Sequence, residues 1–269
     1  MNILNGPMRR TALAAAIVLA AGTGIAQAAT VTLTDDERSV GSSGNVSSST
    51  SYVSWSRSER PPTDYAAFDY TIDETRSAGT NVASGKVSME SLATTSLLQG
   101  TATATASATI NQTGNSNDYN YSSRAEGDSF ATYRISFQVL QPTTFDLSAV
   151  LSIVGGQGCC GNSAQLSLRN TNYNSPIFNL SFGNNSYGPF LQNVALSGIL
   201  DPNTYTLEAI ARASADSSSL GITALNTASF NFALALGPQT SPVPLPGSAW
   251  LLMTAVGAIV ARGRFQKAA

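Results

Sequence analysis

Gly100-Thr101-Ala102-Thr103-Ala104-Thr105-Ala106-Ser107-Ala108-Thr109-Ile110 alternates from end to end. Hydroxyl side chains hold the odd positions and alanines the even ones, with Ile110 closing the apolar set. A period of two over this length specifies a long half-buried strand, because successive side chains of an extended chain point to opposite faces. The alanines make the inward face small, which predicts a close-packed or shallow contact.

The same period recurs downstream. Phe130 to Leu140 sets Ile135, Phe137 and Val139 against Arg134, Ser136 and Gln138. Gln141-Pro142-Thr143 interrupts it, and Thr144 to Val154 resumes with Phe145, Leu147, Ala149, Leu151 and Ile153 inward. The short connection predicts that these two runs pair as antiparallel neighbours. Ala164 to Arg169, Pro176 to Gly183 and Gln192 to Leu200 follow as shorter strands, the second and third separated by the turn-rich Gly183 to Pro189. Asp201-Pro202-Asn203 reads as a turn, with Asn203 suited to a left-handed conformation. Tyr205, Leu207, Ala209, Ala211 and Ala213 then alternate, and Ala228, Phe230, Phe232, Leu234 and Leu236 form a closing strand.

Upstream of Gly100 the pattern is weaker. Val31 to Leu33, Tyr52 to Ser56 and Ala66 to Ile72 read as strands. Asp35 to Ser51 is rich in serine and glycine and reads as a loop. Asn111 to Asp128 is polar and also reads as a loop. Many strands separated by Gly, Pro and Asn turns, with no amphipathic helix in the mature region, predict an all-β fold: a single antiparallel β-sandwich. A jelly-roll-like winding is the preferred topology, with an immunoglobulin-like strand order as the alternative.

Composition narrows the chemistry. Only 11% of the 269 residues are charged and the formal net charge is −2, so no basic footprint points to nucleic acid. The chain has no histidine, which removes Ser-His-Asp and Cys-His catalysis and most zinc sites. No cofactor or metal is expected, and the chain reads as a non-enzyme. Carboxylate-only hydrolysis leaves Asp69 with Asp73, or Glu126 with Asp128, as the pairs to test. Tyr119 and Tyr121, in the polar Asn111 to Asp128 segment, are the candidates for stacking on a sugar. The two cysteines, Cys159 and Cys160, are adjacent and flanked by Gly158 and Gly161. In an oxidising compartment they form either a disulfide between neighbours or a bridge between two chains.

Both ends of the chain carry addresses. Arg9 and Arg10 precede the apolar Thr11 to Ala21, and Ala26-Gln27-Ala28 precedes Ala29. This is the layout of a secretory signal peptide over residues 1–28, a signal helix cleaved after Ala28 by signal peptidase following Sec-dependent export. Residues 29–237 form the β domain and 238–246 a Pro-rich linker. Residues 247–269 hold a short transmembrane helix and a basic tail. The apolar run Ala249 to Ala261 covers about 20 Å as a helix, and Arg262, Arg264 and Lys267 hold its end on the cytoplasmic side.

Val243-Pro244-Leu245-Pro246-Gly247, then a short apolar helix and a basic cluster, resembles the VPLPA variant of the PEP-CTERM sorting signal. The resemblance covers only this tail. Gly247 stands where the family commonly has alanine, and the basic residues are spread out rather than clustered. Leu196 to Leu236, with Tyr205 opening the penultimate strand, is also similar to the closing strands of such proteins. The resemblance implies processing by an exosortase and delivery of the β domain to the periplasm and then to the surface or extracellular matrix of a Gram-negative bacterium. It also implies an association with exopolysaccharide. A plain C-terminal membrane anchor is the alternative for the tail. For the body, the alternatives to a non-catalytic surface protein are a carbohydrate-binding module and a glycoside hydrolase.

Overall fold

A computed structural model describes residues 31–48, 50–62, 64–111, 123–155, 161–183 and 189–238. The elements are β1 (Val31–Asp36), β2 (Ser39–Ser47), β3 (Tyr52–Glu59), β4 (Phe68–Ala78), β5 (Asn81–Ala93), β6 (Leu97–Thr109) and β7 (Arg124–Val139). They continue as β8 (Thr143–Gly155), β9 (Ser163–Asn170), β10 (Ser175–Gly183), β11 (Phe190–Leu200), β12 (Asn203–Ser217) and β13 (Thr223–Pro238). One antiparallel sheet runs β10-β9-β12-β7-β2-β3, with β1 also on β7; the other runs β11-β8-β13-β6-β5-β4. The sheets pack face to face as a β-sandwich, and no described residue is helical.

The alternating stretch is β6, with Ala102, Ala104, Ala106 and Ala108 buried and the hydroxyls outward. Its alanines belong to a graded interior. Along β7 the inward residues run Ala125, Gly127, Ser129, Ala131, Tyr133, Ile135, Phe137 and Val139, from small to large. β12 runs antiparallel to it and matches the gradient: Ala209, Ala211, Ala213 and Ala215 lie toward the small end, Tyr205 and Leu207 toward the large. The wide end is filled by aromatic rings, Tyr133 meeting Phe232 edge-on at 4.9 Å. At the narrow end the backbones themselves approach. A methyl group on Gly127 would lie 2.4 Å from the Ser84 carbonyl oxygen of the opposite sheet, and one on Gly85 would lie 2.7 Å from that of Asp128. Only glycine permits this approach.

Four expectations are corrected. The polar Asn111 to Asp128 segment is not a loop throughout, because β7 begins at Arg124 and its first residues pair with β2 and β12. The runs that form β7 and β8 do not pair with each other. β7 pairs with β1, β2 and β12, and β8 with β11 and β13, so the connection at Gln141-Pro142 carries the chain from one sheet to the other. Each strand has a full apolar face, and lying in opposite sheets buries both faces in one core. The serine- and glycine-rich stretch after Asp35 is not a loop but contains β2, which pairs with β7 from Ser39↔Thr132 to Ser47↔Arg124. Its residues are small because large ones lie over them: a methyl group on Gly41 would meet the Phe130 ring and one on Gly44 the Trp55 ring. Asn203 is not left-handed. It opens β12, and its side-chain oxygen accepts from the Thr204 N–H at 2.9 Å. Among the described non-glycine residues, positive φ occurs at Tyr65 and Asn174.

The body has two distinct ends. β1 starts opposite Val139 and β13 finishes opposite Thr143, so both termini of the sandwich leave from the end where β7 crosses to β8. The strand ends flanking segments 112–122, 156–160 and 184–188 lie at the other end, where Gly183 pairs with Ser163 and Thr223 with Thr109.

Candidate functional site

Several expected sites lie outside the described residues: Ala26, Ala28 and Ala29; Val243 to Gly247; Arg262, Arg264 and Lys267; Tyr119 and Tyr121; Cys159 and Cys160. The carboxylate candidates are described. Asp69 and Asp73 sit four residues apart on the outer face of β4, which separates their α-carbons by about 13 Å. Asp73 is bound to Lys86 at 3.1 Å, and Asp69 faces Glu90. Glu126 and Asp128 are closer, about 7 Å between α-carbons along β7. They stand on the outer face of that sheet, and Glu126 accepts from Asn45 at 3.0 Å and lies 3.6 Å from Arg124. Arg124 is bound more tightly to Asp216, at 2.7 Å. The arrangement is a surface network of paired charges. Among the described residues no group of three or more Cys, Asp or Glu is placed to hold a metal ion.

The most developed polar cluster is one the sequence reading did not single out. Between Leu33 and Asp35 the pairing of β1 with β7 slips by one residue. This bulge changes the phase of the strand, so that Leu33 faces inward before it and Asp36 after it. Arg38, two residues on, therefore points into the sandwich and is 1% exposed. Its guanidinium is bidentate on Asp36, with Nε 2.8 Å from Oδ1 and Nη2 2.6 Å from Oδ2. Nη1 donates to Ser91 Oγ of the opposite sheet at 3.2 Å. The Tyr65 backbone N–H donates to Asp36 Oδ2 at 2.6 Å, with Tyr65 in the left-handed region at φ 61°. One ion pair thus joins the first strand, the opposite sheet and the β3–β4 crossover.

Tyr133 sits opposite this pair, its hydroxyl donating to the Leu92 carbonyl at 3.3 Å. Burial raises its pKa well above the ordinary tyrosine value; nearby Arg38 opposes this and Asp36 adds to it. The cluster is enclosed and internally satisfied, which fits a structural fastening. The signal that could have found it is the Asp36-x-Arg38 spacing, which places both charges on one face of a strand.

Shallow depressions mark the outer faces, among them two of differing character. One, of about 420 Å³, lies between β8, β11 and β13 and is lined by Leu147, Leu196 and small residues, with Asp146 its charged group. The other, of about 200 Å³, is lined by Gln165, Ser167, Arg169, Asn179 and Glu208. The second offers donors and acceptors of both charge signs to a polar ligand.

No protein-family model matches the chain, and no curated protein matches it. Among solved structures, an arabinose-bound MgGH51 α-L-arabinofuranosidase is similar at 11% identity and a TM-score of 0.20. That likeness covers 55% of this chain and 23% of the enzyme's. A structure of infectious bursal disease virus, Gx strain, is similar at 9% identity and a TM-score of 0.23, over 80% of this chain and 71% of that one. Likeness at this level carries no conclusion about function.

Proposed function

We propose that the chain is a non-catalytic exported protein of the bacterial surface or extracellular matrix, sorted through a PEP-CTERM-type tail. The observation that carries this reading is the pair of addresses at the two ends of the sequence: a signal peptide ending at Ala28, and Val243-Pro244-Leu245-Pro246 followed by an apolar run and a basic end. Sec-dependent translocation and signal peptidase handle the first; an exosortase processes the second at the inner membrane. The hydroxyl-rich body is then released to the surface, in contact with exopolysaccharide. The sandwich supports the reading in one respect. Its last strand ends at Pro238, a few residues before the sorting motif, and the chain enters and leaves at one end. A tail held in the membrane would then leave the opposite end facing away. The winding is read as jelly-roll-like, because the connections β3–β4, β6–β7, β7–β8, β8–β9, β10–β11, β11–β12 and β12–β13 each pass between the sheets.

Cell fractionation with mass spectrometry of both termini tests this. In cells with an active exosortase the mature chain starts at Ala29 and has lost the residues beyond the Val243 to Pro246 region. In cells lacking it, the tail remains and the protein stays in the membrane fraction. Recovery of the uncut chain from the soluble cytosol would overturn the reading.

A further inference from the structure

Among the described residues the two sheet orders end at four edge strands, β3, β10, β4 and β11, and β1 adds a short edge carrying Asp35 and Asp36; an edge presents unpaired N–H and C=O groups that template further pairing. Three edges here are blunted. β3 carries Arg57 and Glu59, and β4 carries Asp69, Asp73, Glu74 and Arg76. β10 carries Pro176 and a register slip between Pro176 and Phe178. The fourth, β11, reads Phe190-Leu191-Gln192-Asn193-Val194-Ala195-Leu196-Ser197-Gly198-Ile199-Leu200. It has no charge and no proline, and it pairs with β8 without a slip along its whole length.

The side chains of β11 are also unusually open. Leu191 is 65% exposed and Ile199 54% on the outer face. Leu196 faces inward, opposite Leu147, yet remains 39% exposed. Val150 and Val154 of β8 flank Leu191 diagonally, across from Asn193 and beyond Ser152, and extend the apolar strip.

The strand is close to a palindrome in hydropathy about Ala195, Gln192 and Gly198 being the unmatched pair. A two-fold axis there would set Leu191 opposite Ile199 on the outer face, and Asn193 opposite Ser197. On the inner face it would set Val194 opposite Leu196, and Phe190 opposite Leu200. Apolar meets apolar and polar meets polar at these positions on both faces. With no charge in the strand, self-pairing brings no like charges together. We propose that β11 is a self-association edge, which pairs antiparallel with β11 of a second copy about Ala195 and joins two six-stranded sheets into one. Each edge is about 37 Å long, and a single strand's width of contact keeps the buried area in the small class, below about 1,200 Å² in total. The dimer is therefore concentration-dependent.

The test is sedimentation velocity on the purified full-length protein over a concentration series, beside Ile199→Lys and, as a control, Ile177→Lys on β10. The expected result is a monomer–dimer equilibrium that Ile199→Lys weakens about tenfold or more and Ile177→Lys leaves alone. A second measurement fixes the register: under mild oxidation, Ala195→Cys forms a disulfide joining position 195 of two chains, identified by peptide mass spectrometry against the unmodified protein, which contains Cys159 and Cys160. A monomer at every concentration, or an association that Ile199→Lys does not change, as the apolar tail would produce, overturns the proposal. Either result leaves the sorting reading untouched.

Discussion

Arg38 and Asp36 form an ion pair whose side chains are 0% and 1% exposed. Desolvating both charges offsets most of their attraction, so such a pair adds little net stability, but losing one partner strands the other. Asp36→Asn leaves the guanidinium charged and unmatched in the interior. The expected cost is about 3–5 kcal/mol, read as a lower urea midpoint. Arg38→Met strands the carboxylate and costs a similar amount. The double variant Asp36→Leu with Arg38→Met removes both charges and should be less destabilised than either single change. It does not return fully to the original stability, because the Tyr65 N–H loses its acceptor, at about 1–3 kcal/mol for an unmet buried donor. Additive losses in the double variant would show that the two residues act independently.

At the scale of the strand, the graded interior explains what the sequence disclosed and what it hid. Wherever large apolar residues alternate with polar ones, as in β8 and β13, both the strand and its inward face were legible. β6 was legible because its threonines and alanines alternate without exception. β2 and β5 were not, because at the narrow end the core residue is Gly, Ser or Ala, the same set that composes a loop. In β5 the inward Ala83, Gly85 and Ser91 and the outward Val82, Ser84 and Ser88 erase the contrast between faces. The pairing of β7 was misread for a different reason: a short connection containing proline can close a hairpin or arch between sheets, and periodicity does not distinguish them. The candidate site was less legible still: the Asp36-x-Arg38 spacing puts both charges on one face, but which face is set by the bulge between Leu33 and Asp35. The narrow end also yields a prediction. Gly127→Ala drives a methyl group to 2.4 Å from a backbone oxygen that cannot swing aside, so the sheets must part, and overpacking of this kind costs about 1–3 kcal/mol. Gly183→Ala, which meets nothing within 4 Å, should leave the thermal midpoint unchanged. Differential scanning calorimetry of the two variants makes the comparison.

Over the whole molecule, the order of strands in space departs from their order in the chain. β13 is the last strand made, yet it lies in the middle of its sheet, between β6 and β8. It pairs with β6 from Thr223↔Thr109 to Ala235↔Leu97 and with β8 from Asn226↔Gly155 to Pro238↔Thr143. Its Phe230, Phe232 and Leu234 fill the centre of the core. Among the described residues neither β6 nor β8 has another partner on that side, so the sheet cannot close until β13 is present. Contacts this distant in sequence also make folding slow, because loop-closure entropy is lost before the pairing compensates it. The sheet therefore stays open until β13 has been added. The consequence is tested by truncation. A chain running from Ala29 to Pro238 should resist limited proteolysis as one block. One ending at Ser219 lacks β13, splits its sheet into β11-β8 and β6-β5-β4, and should be digested throughout, with no protected fragment of either half. A stable fragment from the shorter chain would mean that the other sheet folds alone, and that β13 is an addition to the core rather than the strand that completes it.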